Sequence, residues 1–194
     1  MANVAKRPYA QVYPVAAKLV QRLAPACTRL EIAGSLRRRT EMVGDIEIVA
    51  VPILHRDLFG VPTGTSEVDR LLADWPVQML ADGAKQKKFL LTTQRGETYQ
   101  VDLFLQPDPA TWAVNLLIRT GSADFSHWLV TKRALGGAMW DDCASRDARI
   151  WHGDQVVSLP EEADLFTFLQ LDYFEPTART EGRWHTLPAG GLPL

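Results

Sequence analysis

Asp45 and Glu47 stand two residues apart, with Ile46 between them, in the largely apolar run Val43-Gly44-Asp45-Ile46-Glu47-Ile48-Val49. On a strand, residues two apart share a face, so both carboxylates project together while Ile46 and Ile48 turn to the core. Two carboxylates on one face repel each other unless a cation lies between them. Hard oxygen donors of this kind suit Mg2+, which takes a few carboxylates and completes its shell with water and substrate phosphate. Asp102 repeats the theme as the lone acid of Val101-Asp102-Leu103-Phe104-Leu105. If its strand lies beside the first, three carboxylates converge, an arrangement that fits two-metal phosphoryl chemistry. Taken alone, acid-x-acid more often marks the solvent side of a half-exposed strand.

Gly34 and Ser35 change that weighting. A Gly-Ser turn after a strand offers backbone N–H groups and a hydroxyl to a phosphate, and a helix starting there adds its positive end. Arg37, Arg38 and Arg39 follow, with guanidinium groups for phosphate oxygens. A plain turn and a solvated helix face would explain each part singly. The combination, with acids ten and twelve residues after Ser35, is specific.

These residues need a frame. Apolar spacing predicts a helix over 9–23, with Pro14 an awkward interior point. Strands are predicted over 28–33, 45–51, 77–80, 88–93 and 99–105, with a hairpin turn at 94–97 joining the last two. Residues 57–65 read as a loop, and 66–73 as a short helix capped by Ser66. After Pro107-Asp108-Pro109 the pattern turns helical: 111–119 and 123–135, split by Gly121-Ser122, then a small hairpin over 148–157 and a helix over 161–171. A tail from Gly182 is expected to be poorly ordered. The expected fold class is α+β. A mixed sheet with helices on one side occupies residues 1–106, and a small, mostly helical lobe occupies 107–194.

A chain of 194 residues can bury one good core, or a core plus a satellite lobe. Its 46% hydrophobic and 23% charged residues are ordinary for a soluble globular protein. The apolar runs are too short to cross a bilayer. No apolar segment follows Lys6 and Arg7, so no secretory signal is expected and a cytoplasmic location is. Cys27 and Cys143 read as reduced thiols, and none of the four histidines has metal spacing to Cys or another His. A net charge of −2 makes no global case for nucleic-acid binding. Basic clusters at Arg37 to Arg39, at Lys85 with Lys87 and Lys88, and at Lys132-Arg133 suit an enzyme that meets polyanions on one face. Trp112, Trp128 and Trp140 read as packing rather than base-stacking residues. His127 reads as an exposed helix residue, and Asp141-Asp142 as a cap or surface pair.

Over nearly the whole chain, from about Lys6 to Arg179, the sequence resembles the family X DNA polymerases. Gly34-Ser35-x-Arg37-Arg38 with Gly44-Asp45-x-Glu47 is similar to the family's phosphate- and metal-binding motif. Gly83-Ala84-Lys85 with Lys88-Phe89 resembles its primer-side palm strand. Val101-Asp102-Leu103 stands where the family has its third metal ligand, and Thr120-Gly121-Ser122 with Phe125 resembles the turn that opens its nucleotide-binding helix. Leu159 to Phe166, then Tyr173-x-Glu175-Pro176, resembles the family's C-terminal segment. The resemblance implies a palm followed by a nucleotide-binding lobe, and transfer of deoxynucleotides from dNTP to a primer 3′-hydroxyl. It implies two Mg2+ ions, with Mn2+ as a substitute, held by Asp45, Glu47 and Asp102, and Asp102 taking the hydroxyl proton. Gly34, Ser35, Arg38, Gly44, Thr120, Gly121 and Ser122 would hold the nucleotide, with Lys6 or Arg7 a further contact. Lys85 and Lys88 would meet primer or gapped DNA, and a monomer with no membrane partner is expected.

The sequence departs from the family where its second carboxylate, usually Asp, is Glu47, and where two usually aromatic residues before Thr-Gly-Ser are Ile118 and Arg119. Sugar preference is therefore left open. Templated short-gap synthesis is expected ahead of template-independent end addition, and the Thr120-Gly121-Ser122 turn with the C-terminal segment argues against transfer to a non-DNA acceptor.

Overall fold

The computed structural model describes residues 5–180 and Trp184. The predicted tail from Gly182 otherwise lies outside the described residues.

The first helix, α1 (Tyr9–Leu23), follows a two-residue strand, β1 (Arg7–Pro8). Its buried residues, Val12, Ala16, Leu19 and Leu23, recur at helical spacing and form one stripe. That stripe holds the helix intact across Pro14, which removes one internal hydrogen bond. Strand β2 (Cys27–Ile32) leads into a single helical turn, α2 (Gly34–Arg37), then β3 (Met42–Val43) and β4 (Ile46–Pro52).

Residues 57–65 depart from the loop expected there. Strands β5 (Leu54–Arg56) and β6 (Pro62–Ser66) form a hairpin. Asp57 closes its turn: Oδ1 accepts from the N–H groups of Phe59 and Val61, each at 2.9 Å. The composition of a turn was legible there, but not the strand beyond it. Helix α3 (Glu67–Ala73) begins at Ser66 as predicted, in a reciprocal capping box with Asp69. Strands β7 (Gln78–Asp82), β8 (Gln86–Thr92) and β9 (Thr98–Leu105) complete the main sheet.

The sheet is mixed and five-stranded, in the order β2-β4-β9-β8-β7. Only the β4–β9 pair is parallel. Ile46, Ile48 and Ala50 of β4 and Val101, Leu103 and Leu105 of β9 pack on one face with α1 and α3. The opposite face is apolar only toward the C-terminal ends of these strands. There Val49, Val51 and Phe104 meet Trp112, Ala113 and Leu116 of helix α4 (Trp112–Thr120). Helices thus cover both faces, not one, because α4 packs against the sheet on the side opposite α1 and α3.

Helix α5 (Ala123–Val130) is shorter than the expected 123–135. Thr131 turns extended, with Oγ1 donating to the His127 carbonyl at 2.6 Å, and a separate 3-10 turn, Arg133–Leu135, follows. The hairpin expected over 148–157 is a three-stranded meander, β10 (Cys143–Arg146), β11 (Arg149–His152) and β12 (Gln155–Val156). Its first turn uses left-handed backbone at Asp147 and Ala148, with φ of 51° and 55°. Ala rarely adopts that conformation, so the composition gave no turn signal there. Helix α6 (Glu162–Phe168) closes the second core, in which Phe125, Leu129, Met139, Cys143, Phe166 and Trp184 are buried. Trp112, Trp128 and Trp140 all take packing positions, as expected. No helix among the described residues is long and apolar enough to cross a membrane.

Candidate active site

The parallel junction of β4 and β9 sets Glu47 directly opposite Asp102. Strand alternation then puts Asp45, Glu47 and Asp102 on the face that α4 leaves uncovered at this end. The amide of Gln100 links two of them: its Nε2 lies 2.9 Å from Asp102 Oδ2 and 3.5 Å from Asp45 Oδ2. Asp102 is buried and accepts from Gln86 Nε2 at 3.2 Å and from Lys88 Nζ at 3.1 Å. The three carboxylates do not all bring an oxygen within 4.8 Å of the other two.

Crowding and burial show in the protonation of the acids. Burial, then the charges of Asp45 and Asp102, push the Glu47 carboxyl up to about 7, against the opposing pull of Arg38 and Arg119. Asp45 is raised as well, by burial first and then by Asp102. The donors are all oxygen, and the like charges are only partly met by Lys88 and the guanidinium groups. Such a set fits a hard divalent cation, which would remove the repulsion that raises Glu47 and Asp45.

Gly34 abuts Glu47. Its φ is +60°, and a Cβ there would overlap the Glu47 carboxylate, with Cδ at 2.7 Å. Only glycine permits both the left-handed backbone and the close approach. Ser35 follows, half-buried, with its carbonyl accepting from Thr40 N at 3.1 Å. The helix that begins here is a single turn, so the dipole expected of it is small. Gly44 lies beside the Lys6 chain, because β1 pairs with β3. Arg7 turns elsewhere, stacking over Tyr99 and donating to the Thr98 carbonyl at 3.3 Å.

Thr120, Gly121 and Ser122 form the corner between α4 and α5. Gly121 caps α4 with φ 66° and ψ −157°, and the Ser122 hydroxyl caps α5 by accepting from Phe125 N at 3.4 Å. The Gly121–Ser122 peptide is cis. Two arginines from α2 and its C-cap tie this corner to the sheet. Arg38 donates to the Thr120 carbonyl. A Cβ on Gly121 would lie 2.9 Å from its Nη1. The Arg38 Nε is buried without a hydrogen-bond partner among the described residues.

Arg37 is placed differently from the expectation that it faces phosphate. Its guanidinium grips Glu162 with two bonds of 2.9 Å and donates to Thr120 Oγ1 at 2.8 Å. Arg179 joins the same carboxylate at 2.7 Å, and Tyr173 at 2.8 Å. Burial alone would raise Glu162, but Arg179 and Arg37 outweigh it and hold the carboxyl at about 2. This charged knot ties α2 to α6 and to Arg179, and no local pattern in the sequence foretells it.

Lys87 also leaves the basic patch. Alternation turns it under the sheet, where it pairs with Asp69 at 2.6 Å and with Asp82. Lys85 is exposed and lines a cleft of about 380 Å3 with Gln86, Phe104, Asp108, Arg119 and Arg149. Gln86 joins that cleft to Asp102, and Arg119 lies over the Phe104 ring, 3.9 Å from its centre. In comparisons with known proteins, no family model and no curated protein matches the chain.

Proposed function

We propose that this chain is a nucleotidyltransferase of the family X DNA polymerase kind, with residues 1–106 as palm and the following lobe as nucleotide-binding lobe. It would add deoxynucleotides from dNTP to a primer 3′-hydroxyl, in short-gap or repair-type synthesis. The observation that carries the reading is the pairing of Glu47 with Asp102 on one sheet face, with Asp45 beside them and Gly34 pressed against Glu47.

Asp45, Glu47 and Asp102 would hold the Mg2+ ions, which supply charge neutralisation for the triphosphate and acidify the attacking hydroxyl when bound. Gly34, free of a side chain, lets the backbone press against the Glu47 carboxylate, and Gly34 and Ser35 would offer their backbone to a phosphate beside it. Arg38, whose Nε has no hydrogen-bond partner among the described residues, offers positive charge on the same side as Glu47. Thr120, Gly121 and Ser122 form the opposing wall for the sugar, held in place by Arg37 and Arg38. Asp102 accepts the 3′-hydroxyl proton as the new bond to the α-phosphorus forms and pyrophosphate leaves. Lys85 and Arg119 line the cleft that opens beside Asp102 and would meet the acceptor backbone.

The test offers the purified chain single-stranded, primer–template and one-nucleotide-gap DNA with each dNTP and NTP, in Mg2+ and in Mn2+. Extension of the paired or gapped primer supports the reading. Labelling of single strands alone supports end addition. No labelling of DNA, with transfer to RNA or a small molecule, overturns the DNA assignment.

A further inference from the structure

The second lobe carries metal-ligating groups that the proposed reaction does not use. Antiparallel β10 and β11 pair Cys143 directly with His152. Directly paired residues in such a ladder share a face, with Cβ atoms about 4.5–5.5 Å apart. Asp142 precedes β10, and its carbonyl accepts from Gly153 N at 3.2 Å, which fixes it beside the end of β11. A carboxylate oxygen, a thiol sulfur and an imidazole nitrogen therefore lie within 4.8 Å of one another.

We propose that Asp142, Cys143 and His152 bind one borderline transition-metal ion, of which Zn2+ is the type, with a fourth position open to solvent. The donor set decides the class. Sulfur, nitrogen and oxygen together suit Zn2+ or Co2+, whereas Mg2+ takes oxygen alone. Bond lengths of roughly 2.0–2.3 Å place tetrahedral ligands about 3.3–3.8 Å apart. Cys143 Sγ already lies 3.7 Å from Asp142 Oδ1. The His152 Nε2 to Asp142 Oδ2 distance of 2.7 Å must open slightly. Both side chains are more than half exposed, at 58% and 67%, so rotation can open it. Cys143 is buried against the apolar second core, which gives the ion a dry wall on one side. Binding replaces the thiol proton, which is released to solvent, and ties residue 142 to residue 152 across the β10–β11 ladder.

The experiment titrates the full chain with Co2+ and follows the thiolate charge-transfer and tetrahedral ligand-field bands. The bands should saturate at one ion per chain, disappear on adding Zn2+, and ignore excess Mg2+. Cys143 lies in the core, so His152→Ala, at an exposed position, carries the test on a folded chain, with far-UV circular dichroism as the check. It should weaken binding at least about tenfold. Asp45→Asn should leave the bands unchanged. Absent thiolate bands, bands that survive His152→Ala, or bands lost instead in Cys27→Ser would overturn the proposal.

Discussion

Glu47 and Asp102 face each other across the one parallel strand pair of the sheet, 55 residues apart in sequence and adjacent in register. A neighbouring pair on the same strands, Ile48 and Leu103, carries its side chains into the core. The alternation that builds the core therefore delivers the carboxylates to the other face, with no loop needed to aim them. Asp45 joins because it lies two residues before Glu47.

Asp102→Asn should remove the proposed proton acceptor and metal ligand while keeping an oxygen for Gln86. Transfer activity should fall by about 10³-fold or more. The thermal midpoint should stay close to the parent's, since the change also relieves repulsion with Asp45. Steady-state primer extension and a melting curve measure the two quantities, and a variant of undiminished activity would remove Asp102 from the mechanism.

Gly34→Ala should displace the Glu47 carboxylate and strain a left-handed backbone. We expect a loss of at least about 1 kcal/mol in stability, read by urea unfolding. Divalent-ion affinity should fall further than stability does. An alanine variant with full activity would show that Glu47 need not sit where it does.

The raised Glu47 pKa sets a pH signature. The folded value is about 7, and the ordinary value is 4.5. The folded state therefore holds the proton more tightly, and the associated stability is full below 4.5 and lost as pH rises through 7. A divalent cation competes with that proton. Mg2+ affinity should strengthen from about pH 6 to about pH 8, with proton release on binding. Calorimetry in buffers of different ionisation enthalpy reads the released proton, and in Glu47→Gln it should vanish.

Glu162 should behave in the opposite sense. Its folded carboxyl sits at about 2, below the ordinary 4.5, so its contribution is present above 4.5 and lost as pH falls toward 2. Glu162→Gln leaves Arg37 and Arg179 buried without their shared anion and should cost about 3–5 kcal/mol. Because Arg37 also holds Thr120, the variant should raise the KM for nucleotide more than it lowers kcat. Equal effects on both would confine the knot to stability.

The acids and the Gly-Ser corner were legible because alternation and turn chemistry are local properties. The β4–β9 pairing was only a condition in the sequence, since nothing within either strand names its neighbour. Arg37 was misplaced for the same reason: its partner Glu162 lies 125 residues away. Asp141 and Asp142 divide. Asp141 accepts from Ala134 N at 2.9 Å and behaves as the expected cap, whereas Asp142 turns to His152 at 2.7 Å. That second contact depends on the turn at Asp147 and Ala148, which composition did not reveal. Without the turn, Cys143 and His152 look unrelated in sequence; with it they are cross-strand partners.

The most direct measurement is anomalous diffraction from crystals grown with Mn2+ and a non-hydrolysable deoxynucleoside triphosphate. Mn2+ peaks should lie within coordination distance of Asp45, Glu47 and Asp102, with the triphosphate running along Gly34 and Ser35. Peaks confined to other acids, or a triphosphate bound away from that corner, would contradict this placement.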